Sequence, residues 1–243
     1  VTGVRRVLFR SFWSNDQYGI YAAPNSVFTG TAIGVSSNVL DGLFVNTRGN
    51  ILLNYVVAYD NDADGLNLNN AVAGGYGTIT INGTQGVNEL SENGANGLSA
   101  TSFNTITLNT VFSHDNDGSG AYLSNDYPLR TAGINLVDNT FSSNDDFGLE
   151  VYSRGAINWR YGGVSWNGYT APSGTSGAFF DNRNAVSPAS VSLSFVTISN
   201  NYNGSGLEIL SRGAITLSDV DSYENQNGSG VYLYNVGGTA GVS

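Results

Sequence analysis

Carboxylates are the side chains of this sequence whose spacing could support chemistry. Residues 60–65 read Asp-Asn-Asp-Ala-Asp-Gly, so Asp60, Asp62 and Asp64 precede a glycine in the pattern that opens an EF-hand calcium loop. The twelfth position of such a loop needs a bidentate glutamate, but Ala71 stands there, and no helix-length segment flanks the motif. The motif therefore does not predict an EF-hand.

Calcium binding of a weaker kind stays open. Asp115 and Asp117 lie in a later turn that aligns with the first acidic turn. If such turns stack about 4.8 Å apart, their carboxylates could share an ion, because calcium needs only suitably spaced oxygen ligands. The residues of this predicted weak site are Asp60, Asp62, Asp64, Asp115 and Asp117. We predict no other cofactor.

The composition excludes several other kinds of site. The 243-residue chain has no cysteine, methionine or lysine, all nine basic residues are arginine, and His114 is the single histidine. Disulfides, a Schiff-base lysine and a zinc cluster are therefore excluded. The formal charge of −10 disfavours nucleic acids and anionic membranes as partners, because both require a basic surface. No apolar run approaches the ~20 residues that span a bilayer, so we predict no membrane insertion.

One repeat runs through the whole chain and must position these carboxylates. The pattern Gly-apolar-x-apolar recurs with spacings of 23, 23, 32, 23, 28, 29, 29 and 24 residues. Residues 148–159 (GLEVYSRGAINW) and 206–217 (GLEILSRGAITL) are two closely matched copies. The anchor glycines are Gly19, Gly42, Gly65, Gly97, Gly120, Gly148, Gly177, Gly206 and Gly230. A single array of this kind predicts one domain, residues 1–243.

Each repeat contains three short alternating runs separated by polar turns. Runs of about four residues are too short for helices and predict three strands per unit, each pairing in parallel with its counterparts in neighbouring units. The pattern resembles the right-handed parallel β-helix repeats of pectin-degrading enzymes, phage tailspikes and large bacterial surface proteins. The resemblance implies an all-β, right-handed β-helix of about nine three-stranded coils. We expect it to be uncapped at both ends.

An asparagine recurs four or five residues before most anchor glycines. Stacked asparagines can pass amide hydrogen bonds from coil to coil, and they tolerate the left-handed backbone that a tight turn needs. The unit before Gly177 shows no such residue at this spacing. The predicted structural ladder is Asn15, Asn38, Asn61, Asn93, Asn116, Asn144, Asn201 and Asn225.

Two further sets of carboxylates have spacing that suits acid–base work on a glycosidic bond. Asp145 and Asp146 are adjacent, but the N-T-D, G-H-G and R-I-K segments that accompany such a pair in pectin-degrading β-helices are missing. Glu150 and Glu208 occupy matching positions two coils apart, and each precedes an arginine by four residues, which predicts surface ion pairs. We therefore predict no catalytic residue and a protein that is not an enzyme.

The outward positions of the first strand form a column rich in aromatic residues. Such a stripe on a flat sheet suits contact with glycans or a neighbouring filament, although aromatic residues also simply favour strands. The column reads Tyr21, Phe44, Asn67, Ser99, Tyr122, Glu150, Phe179, Glu208 and Tyr232. The predicted surface contacts are its aromatic members, Tyr21, Phe44, Tyr122, Phe179 and Tyr232.

The two ends of the sequence complement each other. Joining residue 243 to residue 1 completes a coil of 32 residues between Gly230 and Gly19, the same length as the coil from Gly65 to Gly97. We therefore predict an adhesin-like structural module of an extracellular or cell-surface filament. Its partners would be copies of itself, head to tail, with neighbouring filaments or glycans on its sides. The alternative is a β-helix that binds or degrades polysaccharide, or a tailspike-like protein.

Overall fold

A computed structural model describes the backbone of residues 5–170 and 174–236, and the side chains of these ranges from Ser11 onward. Within these ranges the chain forms twenty strands and no helix. No described helix is therefore long or apolar enough to cross a membrane. All strand pairings are parallel and join each strand to its equivalents one coil away. The predicted all-β parallel β-helix of about nine coils is confirmed.

Two sheets form the walls of the described coils. The nine-stranded sheet contains β2 (Ile20–Ala22), β4 (Leu43–Asn46), β6 (Leu66–Asn69), β9 (Leu98–Thr101), β12 (Ala121–Ser124), β14 (Leu149–Tyr152), β16 (Ala178–Asp181), β18 (Leu207–Ser211) and β20 (Val231–Asn235). The eleven-stranded sheet contains β1 (Arg5–Trp13), β3 (Phe28–Ser36), β5 (Ile51–Tyr59), β7 (Ile79–Asn82), β8 (Asn88–Ser91), β10 (Ile106–Asn109), β11 (Val111–His114), β13 (Ile134–Ser142), β15 (Ile157–Ser165), β17 (Val191–Ser199) and β19 (Ile215–Tyr223).

The second and third segments of most coils join into one bent strand, which the sequence did not predict. In β3, β5 and β17 a single left-handed residue marks the bend: Ala32 (φ 51°), Tyr55 (φ 59°) and Phe195 (φ 55°). One left-handed residue turns the chain, while the backbone on both sides continues to pair with the next coil. Where the bend is longer, as in residues 83–87, the strand divides into two.

Apolar side chains fill the interior because alternate residues of every strand point inward. Leu66, Leu68, Ile79 and Ile81, for example, are completely buried. The inward side chains of the outermost described coils, such as Ile20 and Leu233, are only partly buried against this core. The residues at the predicted head-to-tail joint, 237–243 and 1–4, lie outside the described ranges.

The asparagine ladder is present and is longer than predicted. In each rung the side-chain amide of one asparagine donates to the side-chain oxygen of the next, with N···O distances of 2.7–3.0 Å. Asn167, which the sequence analysis missed, connects Asn144 to Asn201 and is completely buried. The prediction that the unit before Gly177 lacks a rung is therefore wrong, because residues 168–176 separate its asparagine from its glycine. The ladder runs without a break from Asn15 to Asn225 through the described coils.

The left-handed turn residue is the one before each ladder asparagine, rather than the asparagine itself. Asp60, Asp115 and Trp166 have φ values of 54°, 54° and 63°. Their conformation aims the following asparagine into the turn, where its backbone N–H as well as its side chain donates to the next rung. The prediction that the ladder asparagines themselves adopt the left-handed conformation is therefore wrong, since the preceding residue adopts it.

Candidate functional site

The outward column of the nine-stranded sheet has the register that its sequence pattern suggests. Each member pairs directly with the next one, so the column follows the axis of the solenoid at about 4.8 Å per coil. The pairs that centre on Glu150 are Tyr122 with Glu150, Glu150 with Phe179, and Phe179 with Glu208. Glu150 therefore lies between two aromatic neighbours on adjacent coils.

Glu150 is half-buried and forms a short hydrogen bond on its own strand. The hydroxyl of Tyr152, two residues later on the same face, donates to Oε1 of Glu150 at 2.6 Å. Burial raises the pKa of Glu150 above its ordinary value, and the negative charge of Asp146 raises it further, whereas the Tyr152 hydrogen bond opposes the shift. The face of the sheet around Glu150 is therefore not fully exposed to solvent.

The predicted ion pair between Glu150 and Arg154 is wrong. Nε of Arg154 instead donates to Oδ1 of Asp126, at 2.6 Å, in the turn of the preceding coil. Asn184, in the turn of the following coil, donates to the other oxygen of Asp126 at 2.7 Å. Arg154 lies beyond the end of its strand, where its long side chain reaches the adjacent turn more directly than it reaches back along the sheet. The carboxylate of Glu150 is left with the Tyr152 hydroxyl.

Glu208 also lacks the predicted arginine partner. Its Oε2 accepts a 3.2 Å hydrogen bond from the hydroxyl of Ser176. The guanidinium of Arg212 donates to the backbone carbonyls of Ala185 and Val186, in the longer turn of the preceding coil. Here too the arginine stabilises a turn and does not neutralise an outward glutamate.

Four aromatic rings surround Glu150. The ring of Tyr152 lies 5.8 Å from that of Tyr122 and 5.6 Å from that of Phe179, and Phe147 lies 6.1 Å from Phe179 between ring centroids. These distances are typical of aromatic pairs in contact. We call Tyr122, Phe147, Glu150, Tyr152 and Phe179 the Glu150 patch.

The remaining predicted contact residues lie elsewhere on the same sheet. Tyr21 and Phe44 stack face to face, with centroids 5.2 Å apart and an interplanar angle of 2°, and Tyr18 leans against both. The small polar residues Asn67 and Ser99 separate this pair from the Glu150 patch. Tyr232 is exposed on the last described strand of the sheet. Contact with a partner stays a prediction for all five residues.

Long and short turns alternate along one edge of the nine-stranded sheet, a pattern that the sequence analysis missed. Residues 70–78, 125–133 and 182–190 form long turns between strands, and residues 47–50, 102–105 and 153–156 form short ones. Each long turn begins with a buried asparagine, and each short turn with a buried serine or threonine. Their first residues in chain order are Thr47, Asn70, Ser102, Asn125, Ser153 and Asn182. This strict alternation between asparagine and serine or threonine could have revealed the alternating turn lengths from the sequence. Two of the long turns, joined through Asp126 and Asn184, flank the Glu150 patch.

Asp146 contacts the patch from its other edge, where the segment before Gly177 also lies. Burial raises the pKa of Asp146, and a hydrogen bond with the side chain of Thr175 opposes the shift. Asp145 and Asp146 both donate their backbone N–H groups to the preceding turn, as the aligned-turn interpretation expects. Asp146 is half-buried and is not a simple exposed turn residue.

Asp64 of the EF-hand-like motif belongs to a second, shorter ladder. The backbone N–H of Asp64 donates to Oδ1 of Asp41 at 3.1 Å, and the backbone and side chain of Asn96 donate to Oδ1 of Asp64 at 2.9 and 3.1 Å. Burial, with help from the charge of Asp41, raises the pKa of Asp64 to about 6. The carboxylate thus has a structural role between coils.

Two other members of the predicted calcium site, Asp60 and Asp115, have side-chain partners of their own. Asp60 accepts a 2.8 Å hydrogen bond from Ser37, and Asp115 lies 2.6 Å from Nδ1 of His114. Among the residues that the structure describes, no group of three or more acidic or histidine side chains could hold a metal ion. Calcium binding by Asp62 and Asp117 with these residues stays a prediction.

Comparison with known proteins supports the fold and does not assign a function. Neither a protein family nor a curated protein sequence matches the chain. Among solved structures it is similar to the A-module of the mannuronan C-5 epimerase AlgE4 from Azotobacter vinelandii, with 17% identity and a TM-score of 0.64. The chain is a parallel β-helix. The similarity covers 93% of this chain and 60% of that structure, so the chain spans less than two thirds of the epimerase module. At this identity the similarity shows the fold alone.

Proposed function

We propose that this β-helix binds a polysaccharide along the outward face of its nine-stranded sheet, with the Glu150 patch as the centre of the site. The observation that carries the proposal is the position of Glu150, half-buried beside the Tyr152 hydroxyl and between Tyr122 and Phe179. Aromatic rings offer flat apolar surfaces to the C–H face of a sugar, and an ionised carboxylate accepts hydrogen bonds from sugar hydroxyls. The patch supplies both groups on three successive coils.

The direction in which the bound polysaccharide runs follows from the geometry of the sheet. The column repeats at about 4.8 Å along the solenoid axis, and the long turns on its edge repeat every second coil, at roughly 9–10 Å. A polysaccharide that lies parallel to the axis would place successive sugars beside successive coils. The epimerase module named above acts, as its name says, on mannuronan, and this supports a glycan as the class of ligand.

The charge of the patch favours a neutral glycan over a polyuronate such as mannuronan. Glu150 and Asp146 are acidic, and the nearby Arg154 is neutralised by Asp126. The whole chain carries a formal charge of −10. A chain of uronic acids would meet repulsion along this face at low ionic strength. We therefore propose neutral hexose polymers as the ligand and binding, rather than cleavage, as the activity.

Affinity electrophoresis tests this function. Native gels containing neutral glucans, mannans or xylans, or polyuronates, would be run with the wild-type chain and with Glu150→Gln. We expect at least one neutral polymer to retard the wild type, Glu150→Gln to be retarded less, and polyuronates to have no effect. Retardation by polyuronates alone would contradict the proposal. Release of reducing ends that stops in Glu150→Gln would show that the patch is catalytic and overturn the choice of binding over cleavage.

We propose as a second function that the coils continue end to end with further copies, in a surface or extracellular filament. The supporting observation is that the described strands pair in parallel with their equivalents one coil away, so a further coil could add by the same backbone pairing. Electron microscopy of native material is expected to show long fibres with a layer line at about 4.8 Å and an axial repeat of roughly 43 Å. Discrete short rods would contradict it.

A further inference from the structure

A cavity on the eleven-stranded sheet lies away from the Glu150 patch. Its volume is about 360 Å³, and its lining includes the exposed rings of Trp13 and Tyr59. Ser36 lies between these rings, because it pairs with Trp13 on one side and with Tyr59 on the other. Gly34 contributes no side chain to the neighbouring outward position, so the middle coil is recessed between the two rings.

We propose that this cavity, the Trp13–Tyr59 slot, is a second carbohydrate site that holds one pyranose ring of a neutral sugar. This inference rests on a different face and different residues from the polysaccharide function proposed above, and it stands or fails separately. The slot would give the protein a site for a single sugar, such as a chain end or a branch, beside an extended site for a polymer.

The spacing of the two aromatic residues fits a sugar ring. Trp13 and Tyr59 lie two coils apart, at roughly 9–10 Å along the axis. Aromatic side chains on adjacent coils already fill one coil spacing when they stack, as Tyr21 and Phe44 do at 5.2 Å. One intercalated ring therefore has about 4.8 Å on each side. A pyranose chair with hydrogens on both faces fills this gap better than a flat aromatic ring does.

The exposure of the tryptophan is the second argument. Trp13 is 67% exposed, although Ser36, its partner on the next coil, is buried. Tryptophan carries the largest apolar surface of any side chain, and exposed tryptophan in a concave site is a common feature of binding surfaces. A ligand between Trp13 and Tyr59 would cover one face of each ring.

The polar lining indicates the chemistry of the ligand. The hydroxyls of Ser11, Ser36 and Ser37 line the slot, and among the side chains that the structure describes no basic residue does. Ser37 donates to Oδ2 of Asp60 at 2.8 Å, so its hydroxyl proton is already committed and its oxygen is left as an acceptor for a sugar hydroxyl. The nearby carboxylate of Asp60 would repel a uronic acid. A volume near 360 Å³ is at the small end of ligand sites, about 300–1,000 Å³, and favours a single sugar over a longer chain.

Tryptophan fluorescence provides a direct test. The chain has three tryptophans, of which Trp159 is buried and Trp166 is exposed outside the slot. In a Trp166→Phe variant, Trp13 is the remaining solvent-exposed tryptophan, so a change in the fluorescence of exposed tryptophan reports on the slot. Titration with methyl glycosides of glucose, galactose, mannose and N-acetylglucosamine is expected to give a saturable blue shift with at least one sugar. Glucuronic acid is expected to give none.

Two variants assign the signal to the slot. Tyr59→Ala is expected to weaken sugar binding at least tenfold. Ser36→Phe would fill the gap with a ring that continues the stack, as Phe44 does beside Tyr21, so the fold is retained and the shift is lost. Phe179→Ala, in the Glu150 patch, is expected to leave the shift unchanged. No shift with any neutral glycoside, a shift that survives in Ser36→Phe, or an equal shift with glucuronic acid would overturn the proposal.

Discussion

The phenol of Tyr152 donates a 2.6 Å hydrogen bond to the carboxylate of Glu150, two residues earlier on the same outward face of one strand. Residues two apart on a strand lie side by side, so the strand itself sets this geometry. The hydrogen bond stabilises the ionised carboxylate, whereas burial and Asp146 destabilise it. Glu150 is thus a half-buried carboxylate next to aromatic rings, and among the described residues no arginine forms an ion pair with it.

Polysaccharide binding should weaken as the pH falls. The folded pKa of Glu150 lies above its ordinary value of 4.5, so the carboxylate gains its proton, and stops acting as a full acceptor, at a pH above 4.5. Binding isotherms from pH 8 to pH 4 are expected to show at least a tenfold loss of affinity, since hydrogen bonds to charged groups contribute about 1.5–3 kcal/mol.

Two variants check the origin of this pH dependence. Glu150→Gln should bind more weakly at pH 8 and show no titration in this window. Tyr152→Phe removes the hydrogen bond that lowers the pKa of Glu150, so its midpoint should move to a higher pH. An unchanged midpoint in Tyr152→Phe would mean that another group titrates.

Asn167 should be as important to stability as its neighbours in the ladder. Its side chain accepts from the backbone and side chain of Asn144 and donates to Asn201. Asn167→Ala leaves buried donors unsatisfied and is expected to reduce the free energy of unfolding by about 2–4 kcal/mol in urea titrations. The control Asn158→Ala removes one exposed hydrogen bond and should cost under about 0.5 kcal/mol. Equal effects of the two variants would show that the ladder does not stabilise the fold.

Asp64 should destabilise the fold at neutral pH. Its folded pKa of about 6 is above the model-compound value of 3.8, so the folded state holds the proton more tightly than the unfolded state. The resulting stability is fully present below about pH 4 and is lost as the pH rises to about 6. Asp64→Asn keeps an oxygen for Asn96 and removes the charge, so it should gain about 3 kcal/mol at pH 7 and almost nothing at pH 4, because each pKa unit corresponds to about 1.4 kcal/mol. Urea titrations at both pH values measure this, and a loss at pH 7 would contradict it.

Replacing Ala32 with glycine should stabilise the protein, although glycine usually destabilises strands. Its φ of 51° marks the bend of β3. A left-handed conformation costs an L-residue about 1–2 kcal/mol, and the extra chain entropy of glycine costs about 0.5–1 kcal/mol. Ala32→Gly is therefore expected to raise the free energy of unfolding by about 0.5–1 kcal/mol. Ala58→Gly, in a buried strand position, should lower it. Destabilisation by both variants would show that the bend is not strained.

The parts of the structure that the sequence predicted are those that depend on backbone periodicity. The glycine anchor explains why. A Cβ on Gly65 would lie 2.7 Å from the carbonyl oxygen of Gly97 and 2.8 Å from the side-chain amide nitrogen of Asn93, and the anchor glycines from Gly19 to Gly206 are all approached this closely, so these coils require glycine at this position. A required residue in every coil fixes the register of the strands, and the alternation of apolar residues then fixes which side chains point inward.

The parts that it did not predict depend on insertions and long side chains. Asn167 was missed because residues 168–176 separate it from its glycine, so counting along the chain loses the alignment that stacking restores. Arg154 was assigned to Glu150 by sequence distance, but its partner Asp126 lies 28 residues away and one coil earlier. Contacts between turns of different length depend on three-dimensional spacing, which no periodicity in the chain encodes.

The most direct test of the proposed function is isothermal titration calorimetry with a neutral polysaccharide identified in the gels. The polysaccharide is titrated into the wild type, Phe179→Ala and Phe195→Ala. Both residues are outward-facing phenylalanines, but Phe179 belongs to the Glu150 patch, and Phe195 is 51% exposed at a bend of the other sheet. We expect Phe179→Ala to weaken binding by tenfold or more, since covering an exposed phenylalanine side chain contributes about 1.5–3 kcal/mol, and Phe195→Ala to bind as the wild type does. Equal affinities for all three proteins would contradict a glycan site centred on Glu150.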